Sequence, residues 1–192
     1  MVRYVGIDPS TKTGFVALDE AGNVLRAKEL TGVGNKDPKR MASLIGEVMQ
    51  FVQPDDVICI EGFGFASQQA IQLGGIGWGI RIALWRRGLK YTEVAPDQVK
   101  KFVGVSSWTG EKGSKRRLSD KEKKAVVMAA VRERFAFFHP NHNVNDAYIM
   151  AQIARGLTPD IEMQITREQL EVLQAIRSPT EKKPKRKKVK QG

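Results

Sequence analysis

Three carboxylates in this chain stand where a carboxylate is expensive to keep. Asp8 closes the apolar run Tyr4-Val5-Gly6-Ile7, and Glu61 closes Val57-Ile58-Cys59-Ile60. Asp146 opens a stretch whose apolar positions are Ile149, Met150 and Ile153. Each sits at an edge of the core, where an unpaired charge carries a desolvation penalty. Brought together, three such groups raise one another's pKa values unless cations neutralise them. Oxygen-only donors suit Mg²⁺ or Mn²⁺ better than zinc. Two such ions about 4 Å apart serve phosphodiester hydrolysis, one activating the water and one stabilising the leaving oxygen. Taken singly, each acid has a plainer reading. Asp8 reads as a turn former, Glu61 as a solvated strand end, and Asp146 as the reciprocal acid of a helix capped by Asn143. Their joint presence in a basic chain favours the metal site.

The elements that must position these acids follow from the pattern of apolar residues. Residues 2–8, 14–19 and the stretch from Asn23 to about Leu30 alternate loosely between short turns, predicting a three-strand antiparallel meander. Residues 39–53 repeat apolar positions on one helical face, through Met41, Leu44, Ile45, Val48 and Val52. The short run 57–60 predicts a strand buried on both faces. A helix is expected over 67–87, rich in glycine at Gly74, Gly75, Gly77 and Gly79. So many glycines imply close helix packing, or a backbone that must approach another molecule. A strand at 91–94 and a short helix at 97–103 come next, then an irregular segment over 104–118. Ser119 and Glu122 form a capping box that opens a helix carrying Ala125, Val126, Ala129 and Phe135. The last core helix begins near residues 143–146, and one more is expected over 159–178 through Leu170, Leu173 and Ile176. The order predicts an α/β domain with a mixed sheet and helices on both sides. Its expected limits are 1–157, with a helical extension over 158–178 and a basic, disordered tail over 179–192.

Composition narrows the partners. A chain of 192 residues suffices for one domain with appendages. The formal net charge is +11, of which +6 falls in residues 179–192. Clustered Lys and Arg gain affinity for polyanions by releasing condensed counterions, although such a tail also serves as a solvated charge run. The single cysteine, Cys59, provides neither a disulfide framework nor a thiolate zinc site, so a reducing cytoplasm is expected. No apolar run approaches the roughly 18 residues of a membrane span, and no signal-peptide pattern opens the chain.

Three separated motifs resemble one family. Gly6-Ile7-Asp8-Pro9 in the meander, Ile58-Cys59-Ile60-Glu61 ending a buried strand, and Asn145-Asp146-Ala147 opening a helix are similar to the RuvC Holliday-junction resolvases. These belong to the RNase H-like (retroviral integrase) superfamily. The likeness covers roughly residues 1–155 and looks like that of a divergent, phage-type member. It implies an RNase H-like fold and a homodimeric crossover junction endonuclease. Such an enzyme nicks four-way or branched DNA with Mg²⁺ or Mn²⁺, two ions per site, and takes no small-molecule substrate. The family's first, second and last acids would be Asp8, Glu61 and Asp146. The match breaks at Asn143, where the family usually has another acid or a histidine. Asn143 offers a carbonyl ligand without charge, and His142 shares a helix face with Asp146 and could serve instead. The family also stacks an aromatic residue, placed just after the second acid, on an unpaired base at the junction centre, a place held here by Phe63 and Phe65. Lys100 and Lys123 match its phosphate contacts, and Lys115, Arg116 and Arg117 would extend that track. Two other readings compete. One is a branched-DNA-binding protein whose nuclease site has decayed, as Asn143 suggests. The other is a nucleotide-binding domain, since the turn from Gly6 to Gly14 also resembles the phosphate hairpin of actin-type ATPases. Those enclose the nucleotide between two domains, and this chain has room for one.

Overall fold

The three N-terminal strands form as expected, β1 (Arg3–Asp8), β2 (Thr13–Leu18) and β3 (Val24–Leu30), joined as an antiparallel meander. The computed structural model describes residues 1–63, 69–111, 113–159, 161 and 163–179. Two further strands, β4 (Asp56–Glu61) and β5 (Tyr91–Val94), run parallel to β1, giving one five-stranded sheet in the order β3-β2-β1-β4-β5. The crossovers that parallel pairing requires are helices. α1 (Lys39–Phe51) precedes β4, and α2 (Ala70–Arg86) precedes β5. α3 (Pro96–Phe102), α4 (Asp120–Phe135), α5 (His142–Leu157) and α6 (Arg167–Arg177) complete the described helices, and none of these is long and apolar enough to cross a membrane.

Strand alternation separates two cores. Val5, Ile7, Phe15, Ile58 and Ile60 join Leu44 and Val48 of α1 and Ile76, Ile80 and Leu84 of α2 on one face. Tyr4, Val16, Leu18 and Cys59 join Val99, Phe102 and much of α5 on the other. A strand covered on both faces must be apolar throughout, which is why β4 reads as a continuous run. α5 is the central helix, with buried residues along nearly its whole length.

Four expectations need correction. α4 buries Val127 and Val131, whereas Ala125, Val126 and Ala129 are exposed. The helix lies at the flank, so only a narrow stripe with spacing of four residues reaches the core, and Ala130 and Phe135 pack at its margin. Helix α6 begins only at Arg167, because Thr166 caps it. The Thr166 hydroxyl accepts from the Gln169 N–H, and the Gln169 amide oxygen accepts from the Thr166 N–H. The described residues between Thr158 and Thr166 are not helical. The segment expected to be irregular contains a small antiparallel hairpin, β6 (Trp108–Thr109) with β7 (Arg116–Arg117). Finally, α5 is capped by Asn141, whose side chain accepts from the Asn143 N–H, so Asn143 is not the cap. The glycines of α2 let α1 approach closely at two positions, and a Cβ on Gly77 would meet the Phe63 ring at 2.7 Å. A Cβ on Gly75 or Gly79 would meet the side chains of Met41 or Ile45 on α1, the latter within 2.2 Å.

Candidate active site

Register brings the first two acids together. In the parallel β1–β4 pair, Gly6 lies opposite Cys59 and Ile7 opposite Ile60, so the next step sets Asp8 beside Glu61. Parity sends both side chains to the α5 face, with Tyr4 and Cys59, since side chains two apart share a face. Two glycines then let α5 approach. A Cβ on Gly6 would lie 1.9 Å from the Ala147 carbonyl oxygen and 2.6 Å from the Ala151 nitrogen. A Cβ on Gly14 would lie 2.0 Å from the Asn143 carbonyl oxygen. With no side chain at either position, the helix rests on the strands. Asp146, one residue before Ala147, is delivered to the end of β1.

A set of amides holds the mouth of α5 in place. The Asn143 side chain donates to Ser10 Oγ at 3.0 Å and to the Lys12 carbonyl at 2.6 Å, tying the helix to the turn after Asp8. Its amide hydrogens are thereby occupied, and Oδ1 is the polar atom left for a ligand. Asn145, fully buried, donates to the carbonyls of His139 and Asn141. His139 Nδ1 accepts from the Asn141 N–H, so this imidazole belongs to the entry loop. The Asn141 amide donates to Glu29 on β3. His142 opens the helix half-buried, and burial, then the nearby Lys124, pushes its pKa below the usual imidazole value. It is the neutral imidazole at neutral pH.

The acids respond to one another. Burial, then the charges of Glu61 and Asp146, pushes Asp8 well above the carboxylate range, and Asp8 and Glu61 share a hydrogen bond. Glu61 is also raised, again by burial, against the lowering influence of Asp8's hydrogen bond and of Lys100. Asp146 is raised to about 7 by burial and Glu61, with Lys100 and Lys124 opposing. A hydrogen bond between two acids needs a proton, so without a cation the raised Asp8 and Glu61 favour a protonated, less charged site. Among the described residues, no group of three or more His, Cys, Asp or Glu side chains is placed so that it could hold a metal ion as it stands. The donor set nonetheless fits a hard divalent cation: three carboxyls, the Asn143 amide oxygen and no thiolate. A cation placed there would relieve the repulsion that protonation now relieves.

Two clefts meet at these acids, sharing Glu61, Pro96, Lys124, His142 and Asp146. The first, about 440 Å³, is walled by cations: Lys100, Arg117, Lys123 and Lys124. The second, about 700 Å³, holds Asp8, Ser10 and Asn143, with Phe63, Leu73 and Trp78 on its apolar side. Phe63 stacks on Trp78, with ring centroids 5.4 Å apart, and lies under the Arg81 guanidinium at 4.3 Å. Of the residues predicted to contact DNA, Phe63, Lys100, Arg117 and Lys123 line these clefts. Lys100 and Lys123 are paired with Asp97 and Asp120 at 3.3 and 2.9 Å. Arg116 turns instead onto Glu122, Lys115 is exposed on neither cleft, and Phe65 lies outside the described residues.

Sequence reasoning passed over Lys124 and Arg81. Lys124 lines both clefts and lowers the pKa of Asp8 and Asp146. The spacing gave no clear signal, because the buried stripe of Val127 and Val131, taken back four residues, falls on Lys123, and Lys124 is itself exposed. Arg81 is 2% exposed, ion-paired to Glu93 at 2.6 Å, and donates to the Glu61 carbonyl at 2.9 Å. An arginine inside an otherwise apolar glycine-rich helix was the available sign.

The mixed sheet, with its three-strand meander, two parallel strands and helices on both faces, is an RNase H-like architecture. Among the solved structures that align with it are two of one protein. The "Thermus thermophilus RuvC structure" matches with TM-score 0.55 and 19% identity, over 78% of this chain and 90% of that one. "T. thermophilus RuvC in complex with Holliday junction substrate" matches with TM-score 0.54 and 18% identity, over 78% of this chain and 89% of that one. At such identity the likeness establishes the fold. No protein-family model matches the chain, and no curated protein does.

Proposed function

We propose that the protein is a metal-dependent, structure-selective endonuclease that nicks Holliday junctions and related branched DNA. The observation that carries the reading is the convergence of Asp8, Glu61 and Asp146 where a cation-lined cleft meets an aromatic one. Asp8, Glu61 and Asp146 would hold Mg²⁺ or Mn²⁺, two ions per site, supplying an activated water and a stabilised leaving oxygen. Asn143 Oδ1 or the neutral His142 imidazole would complete that donor set. Lys100, Arg117, Lys123 and Lys124 receive the phosphates, which position the strand without reading its sequence. Phe63, braced by Trp78 and Arg81, offers its ring to an unpaired base, a contact worth roughly 1–3 kcal/mol. Among solved relatives in fold, T. thermophilus RuvC is described in complex with a Holliday junction substrate, which supports the choice of substrate.

Paired nicks on a two-fold junction need paired sites, and a C₂ homodimer supplies them. The face of α2 that leaves Ile71, Ile82 and Trp85 exposed is the surface we assign to the second copy. The testing experiment is nicking of synthetic four-way, flap and linear duplexes with and without Mg²⁺. Cleavage of the four-way junction that requires the cation and is lost in Asp8→Asn is the expected result. Junction binding without nicking, even in Mn²⁺, would instead establish the non-catalytic reading.

A further inference from the structure

The β6–β7 hairpin has two unlike faces. Paired residues share a face, so Trp108 and Arg117 project together, and Thr109 and Arg116 project together on the other side. The second face is fastened down. Arg116 donates to both carboxylate oxygens of Glu122 on α4, at 2.6 and 3.0 Å. That carboxylate is itself fixed by the Ser119 N–H and hydroxyl at 2.8 and 2.7 Å. The Leu118 N–H donates to the Ser107 carbonyl and closes the hairpin's base. A bidentate guanidinium–carboxylate pair fixes orientation as well as distance.

The first face is left open. Trp108 is 56% exposed, an unusual place for an indole that could have been buried. It borders a hollow of about 470 Å³ with Lys100, Lys101, Ser106 and Ser107. Its cross-strand neighbour Arg117 lines the cation-walled cleft that reaches Asp146. Lys100 lines both, so a lysine-bearing wall runs from the acids to the exposed indole, with Asp97 and Glu168 along it and Lys100 and Lys101 paired to Asp97 and Glu171.

We infer that the Trp108–Arg117 face of this hairpin grips a duplex arm of the DNA substrate, away from the point of cleavage. This rests on the nuclease reading and extends it outward. Phosphates can displace the carboxylates that now pair with Lys100, Lys101 and Lys123, so a wall rich in lysine that leads from a phosphodiester-cutting site tracks a polyanion, and what lies further along it is the same molecule's arm. A guanidinium beside an apolar wedge is the combination by which proteins enter a DNA groove. Arg116 then serves as the brace that presents the pair.

The test compares binding of the full-length protein to junctions with arms of about half a helical turn and about two turns. The readout is the ratio of the two affinities, measured without divalent cation by anisotropy. Wild type is expected to favour long arms, and Trp108→Ala to reduce that preference about fivefold or more, with Arg117→Ala acting in the same direction. Arg86→Ala, which removes another exposed cation, is expected to leave the ratio unchanged. An unchanged ratio in Trp108→Ala overturns the inference, as does an equal fall in Arg86→Ala. So does a loss confined to junctions bearing single-stranded ends, which would make Trp108 a base-stacking platform. Because binding is read without nicking, failure of the nuclease reading shows separately, as a wild-type protein that prefers long arms and never cuts.

Discussion

Gly6→Ala tests the packing that assembles the site. The added methyl would begin 1.9 Å from the Ala147 carbonyl oxygen, where a carbon–oxygen contact tolerates about 3.3 Å. Helix α5 must therefore retreat by about 1.4 Å, and the atoms it meets are backbone, so no side chain can swing aside. Overpacking of this kind costs about 1–3 kcal/mol, and the rigid neighbours place this case at the upper end. For a chain of this size that is a fall in Tm of roughly 6–12 °C. The same retreat carries Asp146 away from Asp8. Misplacement by about 1 Å is enough to cost on the order of a hundredfold in rate. Differential scanning calorimetry and single-turnover nicking at a temperature well below the variant's Tm separate the two effects. Gly46→Ala is the control: it lies inside α1 with nothing within 4 Å of its Cβ position, and should gain about 1 kcal/mol of helix propensity. A Gly6→Ala protein with unchanged Tm would refute the claim that α5 rests on this glycine. A lowered Tm with full nicking by the folded protein would refute the link from packing to the acids.

Other outcomes follow from the same site. Asp8→Asn removes a buried acid whose ionisation is opposed by two others, so the metal-free protein should melt at a higher temperature while nicking and any rise of Tm with Mg²⁺ disappear. In EDTA the wild type should lose stability from pH 5 to 7. Asp146, raised to about 7, keeps a proton that the unfolded chain has released above about pH 4, giving a slope of at most about 1.4 kcal/mol per pH unit. Asp8 acts in the same direction, while His142, lowered by burial, acts in the opposite one near its own titration. Two acids outweigh one imidazole, and a Tm that rises over this range in EDTA would contradict the raised values. Arg81→Met should destabilise by about 2 kcal/mol in urea unfolding, with Arg81→Lys recovering part, because the Glu61 and Gly77 carbonyls lose their donor. Cys59, 1% exposed and pushed up to about 12 by burial, should resist a thiol reagent until the protein unfolds.

The sheet was legible because each strand advertises its surroundings. β4 is apolar on both faces since helices cover both, and the meander shows as alternating runs between tight turns. Asp8 and Glu61 could be paired from sequence alone, as each is the polar end of such a run. Asp146 was named from its place at the start of an apolar helical stretch, but the competing reading, a helix capped by Asn143, put the cap two residues too late. Side-chain direction sets the cap, and Asn141 supplies it by accepting from the Asn143 N–H. Contacts across long separations were not legible. Nothing local in Asn143 announces that its amide holds the Ser10–Lys12 turn 131 residues away. Nothing local in Arg116 announces its bond to Glu122 in place of a phosphate.

The amide at position 143 bears on the choice between the proposed nuclease and a non-catalytic binding protein. An acid there would add a fourth negative group to three that already hold one another's protons. The amide instead spends its two hydrogens on the turn that follows Asp8 and keeps an oxygen for a ligand. It gives up charge and gains rigidity, which fixes Asp8 relative to the helix bearing Asp146. A binding protein with no use for a cation would gain stability by replacing any of the three acids with an apolar residue. Three acids at one buried edge, with Lys100 and Lys124 nearby, are the cost that the proposed cation site would account for. Asn143→Asp distinguishes the cases. If the amide is a working part of the site, the acid should raise affinity for Mg²⁺, read by the midpoint of Tm against cation concentration. It should also lower metal-free stability through the added repulsion. If both quantities stay at the wild-type values, Asn143 faces no cation, and the amide is only a fastening for the turn.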